Sequence, residues 1–554
     1  MSAPVSGAAA LPVPGRSVAL SRQGVAASSQ PLAAQAAAQI LERGGSAVDA
    51  AIAANAVQGL MEPPSNGLGG DLFAIVHLAK DDRLYGINAS GWSASGMTPE
   101  ILARKGITGE LPASGPHTVT VPGAVGGWVA LHERFGRLPL AADLAAAIWY
   151  AENGFPVMEI TAGLWSAAAP VLAEDRESAA TFLIEGRPPV AGEVFRNPGL
   201  ARALRRIAEG GRRGFYEGPT AEAIVEVVRS HGGVMAPADL AEFEAEWVEP
   251  LRIAYRGWTV AELPPNGQGI AALLMLRILE QFPLREWGFH GARTLHAMIE
   301  AKKLAYADLL RYVGDPRFTH VPVQELLSDR NIAARARLID SAKAAARVEP
   351  SHVPAVTTAR DGDTIYLAVA DGEGNVVSLI QSNYHGFGSG LTPKGCGFVL
   401  QSRGRLFTLL PGRPNTLAGR KRPLHTIIPG FMQKDGVSIG FGIMGAWNQA
   451  QAHAQFVANV ADFGMSIQQA LEAGRFTKAT FEGLDVEVEC SVPDAVRAEL
   501  LALGHQIEVR PLRTSSFGYG QAVLVDRGSG VKSGASDPRH DGAAIPAPAP
   551  CFAK

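Results

Sequence analysis

A layered α/β protein, with helices packed outside paired strands, is predicted from three features of the sequence. Ala-rich segments early in the chain carry helical spacing. Two hairpin patterns, one early and one late, carry strand alternation. In the last third, strands and helices follow one another. Residues 1–24 are rich in Ala, Pro and Ser and read as a flexible arm. Pro31 to Glu42 reads as a helix stopped by Gly44-Gly45, and Ala47 to Leu60 as a second, its Ala spacing suited to close helix packing. Pro63 to Gly70 is a turn-rich break. Asp71 to Leu78 and Arg83 to Asn88 then form a hairpin about Asp81-Asp82. Helical periodicity returns at Val125 to Phe135 and Ala141 to Glu152. It dominates to about residue 340, most clearly from Leu295 to Leu310. Residues 342–363 are polar, contain Pro350 and Pro354, and read as a mobile linker. Beyond it come strands at Ile365 to Ala370 and Val376 to Ile380, joined by the turn Asp371 to Asn375. A Gly-rich loop spans Gly386 to Gly397. Further strands are read at Ser438 to Phe441, Asp485 to Glu489 and Gly520 to Val525, with helices at Gln449 to Phe463 and Ile467 to Ala473.

Composition removes several classes. The 554 residues are 47% hydrophobic, ample for one large core or two fused ones. Formal charge is −3 with Lys and Arg scattered, so no nucleic-acid surface is read. Cys396, Cys490 and Cys551 lie too far apart in sequence for a CxxC or zinc spacing, so no disulfide scaffold, metal or cofactor is expected. The N-terminus lacks a basic start followed by an apolar run, and no segment reaches membrane-span length. The expectation is a cytoplasmic protein without membrane or nucleic-acid partners. No GxSxG, HExxH or Walker motif occurs. Gly386-Phe387-Gly388-Ser389-Gly390 follows a strand. It leads into Thr392-Pro393-Lys394 instead of a helix, which argues against a dinucleotide fingerprint.

Thr364 stands where the linker meets the late hairpin. It can be an ordinary β-branched residue opening a strand. It can also be a nucleophile. Cutting the Asp363–Thr364 bond frees an α-amine with a pKa near neutrality, able to act as base for the threonine's own hydroxyl. Such a catalyst needs no separate His or Asp.

A series of motifs resembles the γ-glutamyltranspeptidase family over almost the whole chain. They are Gly44 to Ala51, Glu62 to Asp71, Val121 to Trp128, Phe135 to Leu140, Pro264 to Gly269, Arg311 to Pro316 and Gly534 to Arg539. In that family the nucleophilic Thr precedes the Asp of a D-x-x-G-N turn by seven residues; Asp371 to Asn375 is that turn, which places the nucleophile at Thr364. The resemblance implies a four-layer αββα sandwich of N-terminal-nucleophile hydrolases. It also implies self-cleavage between Asp363 and Thr364 into a large subunit (25–341, with the linker 342–363) and a small one (364–554). The two stay associated, as one pair or a dimer of pairs. Ser382 matches a hydroxyl residue that assists the nucleophile. Gly445 and Ala446 match the adjacent amides that hold the oxyanion.

The head-group site of the glutamyl enzymes does not match. No Arg follows the first hairpin, Leu406 stands near the place of a carboxylate, and His425-Thr426 replaces a Ser pair. The pattern is more similar to the oxamate amidohydrolase-like branch. Arg403 can bind a substrate carboxylate, whereas Arg405 reads as solvent-facing. Tyr384, Asn266 and His425 are further substrate-binding candidates, each equally readable as packing or turn residues. Three functions follow. They are an autoprocessing amidohydrolase on a small, carboxylate-bearing amide, a γ-glutamyl transferase with a rebuilt head-group site, and an uncleaved, non-catalytic family member.

Overall fold

A computed structural model of the protein describes residues 11–351 and 363–549. Two seven-stranded sheets form its centre, antiparallel throughout. The first runs in the order Ala543–Pro546, Val25–Ser28, Asp363–Ala370, Val376–Tyr384, Asp71–Leu78, Arg83–Ala89 and Glu246–Val248. The second runs Ala19–Ser21, Lys532–Ser536, Gly520–Asp526, Val437–Ile443, Gly430–Lys434, Trp258–Glu262 and Leu251–Tyr255. Each mixes strands from both sides of Thr364, so the two halves of the chain share one core.

Strand alternation builds the layers. In Asp71–Leu78, Phe73 and Ile75 enter the cluster between the sheets, while Leu72, Ala74 and Val76 face a helical layer. In Asp363–Ala370, Tyr366 and Ala368 face inward and Leu367 and Val369 outward. Helices Pro31–Glu42 and Ala47–Met61 cover the outer face of the first sheet. Helices Gly269–Leu279, Ala292–Tyr312 and Gln449–Ala461 cover that of the second. The layers run helix, sheet, sheet, helix, as expected. Ser46 and Asp49 form a capping box that starts Ala47–Met61.

The structure differs from the sequence reading in several places, and it adds the unread sheet strands Val25–Ser28, Gly430–Lys434, Lys532–Ser536 and Ala543–Pro546. The helical stretch before residue 340 contains the strands Glu246–Val248, Leu251–Tyr255 and Trp258–Glu262, too short and too exposed on one face to show against long helical periods. Val376–Tyr384 outruns its apolar segment because Gln381, Ser382 and Asn383 are polar yet buried. Residues 11–24 of the supposed arm are docked: Ala19–Ser21 pairs with Lys532–Ser536, and Gln469 donates to Pro12 O at 3.0 Å. The first part of the supposed linker is tethered too. Ala344 N donates to Leu503 O at 2.7 Å, and Ser351 Oγ to Asp308 at 2.9 Å. The rest of it, 352–362, lies outside the described residues.

Among the described residues no helix is long and apolar enough to cross a membrane.

Candidate active site at the head of the central hairpin

Thr364 lies in a β-bulge. Asp363 pairs with Tyr384 and Ile365 with Gln381, so Ser382 and Asn383 together oppose Thr364. The bulge aims two hydroxyls at each other. Thr364 Oγ1 donates to Ser382 Oγ at 3.2 Å, and Ser382 Oγ accepts the Tyr384 N–H at 2.8 Å. Thr364 is 1% exposed and Ser382 fully buried. The turn out of the bulge holds Tyr384 at φ +78°, a left-handed conformation unusual for a bulky residue.

Gly70 is required by this geometry. A Cβ there would stand 2.6 Å from Ser382 O and 2.8 Å from Asn383 Oδ1. Gly70→Ala is expected to displace the bulge and reduce turnover at least tenfold while the protein still folds, checked by activity beside circular dichroism.

Asp71, the cross-strand partner of Ser382, organises the next layer. Its Oδ1 accepts from Gly91 N at 2.7 Å and Gln401 Nε2 at 2.8 Å, and its Oδ2 contacts His425 Nε2 at 2.9 Å. Ile427 N donates to His425 Nδ1 at 3.3 Å, which puts the ring proton on Nε2, facing Asp71. Burial, then the Arg403 and Arg422 charges, hold His425 well below its ordinary pKa, so it is a neutral clamp. Burial pushes Asp71 up to about 7 against the pull of Arg403 and its donors.

Arg403 is the central charge of the site. It is 0% exposed; Nη1 donates to Thr426 Oγ1 at 2.6 Å, and its guanidinium lies 4.6 Å over the Tyr384 ring. Its Nε and Nη2 have no partner among the described residues. Burial lowers Arg403 to about 10, so it remains charged at neutral pH.

Gly445 and Ala446 follow the strand Val437–Ile443, whose Gly442 presses against the Tyr366 ring two residues from Thr364. Gly445 has φ +125° and Ala446 φ +47°, a strained turn of the kind that accumulates at functional sites. Neither amide N–H has an acceptor among the described residues. Helix Gln449–Ala461 begins just beyond, its N-terminal end adding positive potential. Gln268 fixes the turn, donating Nε2 to Ala446 O at 2.8 Å and also to Thr426 O. Contacts therefore run from Ala446 through Gln268, Thr426, Arg403 and Tyr384 to the Thr364 bulge.

Thr364, Ser382, Tyr384, Arg403, Gly445 and Ala446 are thus brought to one region. Two other candidates are framework residues. Asn266 commits its whole amide, Oδ1 accepting from Asn88 at 2.8 Å and Nδ2 donating to Ser90 and to Pro423 O at 2.7 Å. His425 serves Asp71. The side chain of Asp363 lies outside the described residues. Sequence reasoning missed Asp71, Gln268, Gln401 and Thr426. For Asp71 a signal existed: a carboxylate opening an otherwise apolar strand directly after Gly69-Gly70. Arg405, read as solvent-facing, is half-buried and lines a cleft of 690 Å³ with Leu406, Leu424, Trp447 and Phe481. Thr364 itself does not line that cleft.

A sequence profile described as Gamma-glutamyltranspeptidase matches residues 33–547. The chain belongs to the γ-glutamyltranspeptidase family. It is 36% identical over 521 residues to the glutathione hydrolase-like YwrD proenzyme of Bacillus subtilis, covering 93% of this chain and 96% of that one. It is 35% identical over 538 residues to the oxamate amidohydrolase proenzyme of Klebsiella pneumoniae, covering 95% and 98%. A crystal structure of cephalosporin acylase from Bacillus halodurans superposes with a TM-score of 0.90 at 42% identity, covering 98% and 99%. Like these γ-glutamyltranspeptidase relatives, the chain is an amidohydrolase of the N-terminal-nucleophile type with their mixed α/β architecture.

Buried acids in this family member couple stability to pH. Burial, with the neighbouring Asp49 charge, raises Asp143 to about 8. The native state then holds a proton that the unfolded chain releases near pH 4. That stability is complete below pH 4 and is lost as pH rises through 8, at roughly 1.4 kcal/mol per pH unit. Asp143→Asn is expected to lose less stability than the unmutated protein between pH 5 and 8, measured by urea unfolding.

Proposed function

We propose that this protein cuts itself before Thr364 and then hydrolyses small amides that carry a carboxylate beside the scissile bond. The observation that carries the substrate class is Arg403, a fully buried guanidinium with two nitrogens unpartnered among the described residues. A buried charge of this kind calls for an anion, and the planar fork suits a carboxylate. The name of the oxamate amidohydrolase relative agrees with that chemistry.

In the processing step Thr364 Oγ1 attacks the Asp363 carbonyl carbon. The peptide C–N bond breaks, leaving an ester and a free α-amine. Water then hydrolyses the ester to the Asp363 carboxylate and a free Thr364 hydroxyl. In turnover, the α-amine takes the Thr364 hydroxyl proton as Oγ1 attacks the substrate carbonyl, and it returns that proton to the leaving amine. Gly445 and Ala446 N–H groups hold the oxyanion, and Ser382 Oγ positions the nucleophile. Water releases the carboxylic acid from the acyl-enzyme.

Release of ammonia from oxamate by processed protein tests this reading, with a γ-glutamyl anilide as comparison. Turnover of oxamate and not of the anilide supports it. The reverse result favours the glutamyl transferase. No hydrolysis across a panel of carboxylate amides by fully processed protein refutes it.

A further inference from the structure

Outside the candidate active site, helix Ala292–Tyr312 carries His296 and Glu300 four residues apart, so both project from one face. His505 meets them from the other half of the chain. It follows Gly504, which turns the chain at φ +95° between helix Asp494–Ala502 and strand Gln506–Arg510. The three residues are buried, at 3%, 2% and 2% exposed, and one nitrogen or oxygen from each lies within 4.8 Å of the others. Sequence spacing hides the set, since His296 and His505 are 209 residues apart.

Hydrogen bonding sets the ring tautomers. His296 Nε2 lies 2.8 Å from Asp340 O, which can only accept, so Nε2 carries the proton and Nδ1 a lone pair. That lone pair accepts from His505 Nε2 at 2.8 Å. His505 Nδ1 is then a second lone pair, buried and without a partner among the described residues. A backbone carbonyl holding the far nitrogen of an imidazole is the usual support of a metal-binding His. Glu300 Oε1 accepts from Lys303 Nζ at 2.7 Å and Oε2 from Ala345 N at 3.3 Å. A carboxylate has about four lone-pair directions, so it keeps capacity for a further partner.

We propose that His296, Glu300 and His505 form a binding site for a divalent transition-metal ion, zinc above all. Two imidazoles and one carboxylate suit zinc, with water in the fourth position, and disfavour magnesium and calcium, which take oxygen ligands. No ring proton has to leave, because His505 keeps its proton on whichever nitrogen the ion does not take. Chain position gives the ion its role. His296 and Glu300 precede Thr364, and His505 follows it. Ala344 N donates to Leu503 O at 2.7 Å and Lys303 Nζ to Ala345 O at 2.7 Å, so the segment leading towards Thr364 is seated on the same cluster. An ion here fastens that segment and both halves of the chain at one point, and stabilises the folded state by binding it alone.

Calorimetric titration of ZnCl2 into tag-free protein, stripped with EDTA and desalted, is expected to show one ion per chain with a Kd of about 1 μM or tighter. Saturation is expected to raise the thermal midpoint by about 3 °C or more. His505→Asn is expected to weaken binding by about 100-fold and to abolish the thermal shift. His320→Asn, at an exposed position, is expected to change neither. Thr364→Ala is expected to bind zinc as the unmutated protein does, so the result does not depend on self-cleavage. Anomalous diffraction at the zinc edge from a zinc-soaked crystal places the ion without any variant, which decides the matter if His505→Asn does not fold. Absence of binding at this affinity overturns the site. An ion located elsewhere, or an affinity unmoved by His505→Asn, means an adventitious ion only and overturns it equally.

Discussion

Thr364→Ala is expected to remain a single 58.2 kDa chain on incubation at neutral pH. The unmutated protein is expected to give two fragments, the smaller beginning at Thr364. Activity in the variant falls by on the order of 10⁴-fold or more, as when a nucleophile is removed from other acyl-transfer enzymes. Substitution by Ala removes the hydroxyl proposed to attack the Asp363 carbonyl and leaves Ser382 Oγ with its Tyr384 N–H contact. The fold should persist, because the methyl of Ala fits a position only 1% exposed and flanked by intact strands. Thr364→Ser retains the oxygen and is expected to process, more slowly, since its side chain has more rotamer freedom. Intact mass under denaturing conditions reads all three proteins. A single uncut chain for the unmutated protein as well would leave Thr364 without a free amine, and the non-catalytic reading would replace the enzyme mechanism at this threonine.

Arg403→Met is expected to separate function from stability. Replacing a partner of a buried ionic contact costs about 2–5 kcal/mol of binding, so kcat/KM for oxamate falls by roughly 100-fold or more. The thermal midpoint is expected to stay level or rise. The guanidinium is fully buried, has one hydrogen bond to Thr426, and leaves two nitrogens unpartnered among the described residues, so an apolar side chain of similar length removes a desolvation cost. Arg403→Lys keeps the charge and loses the fork, and is expected to recover little of the activity. Retained oxamate hydrolysis in Arg403→Met would remove the carboxylate-binding role; a large fall in the thermal midpoint would make Arg403 a structural residue.

The αββα layering and the position of Thr364 were legible in the sequence by different routes. Helix Pro31–Glu42 and the hairpin Asp71–Leu78 with Arg83–Ala89 show their own periods, because local spacing of apolar residues sets which face each element buries. Thr364 was reached only through its register to Asp371 in a family motif, since one β-branched residue at the head of a strand has no local distinction. Short elements such as Leu251–Tyr255 escaped because five residues carry too little periodicity.

What tertiary structure alone decided is where polar groups end up. Asn266 and His425 look equally fit for substrate in the sequence, yet Asn266 is consumed by Asn88, Ser90 and Pro423, and His425 by Asp71. Arg403 and Arg405 are two residues apart with the same side chain. One is sealed against Tyr384 and Thr426 and the other lines the cleft. Sequence determines the periodicity that builds the layers, a local property. Which buried donors remain without acceptors depends on partners hundreds of residues away, brought together only when both sheets close.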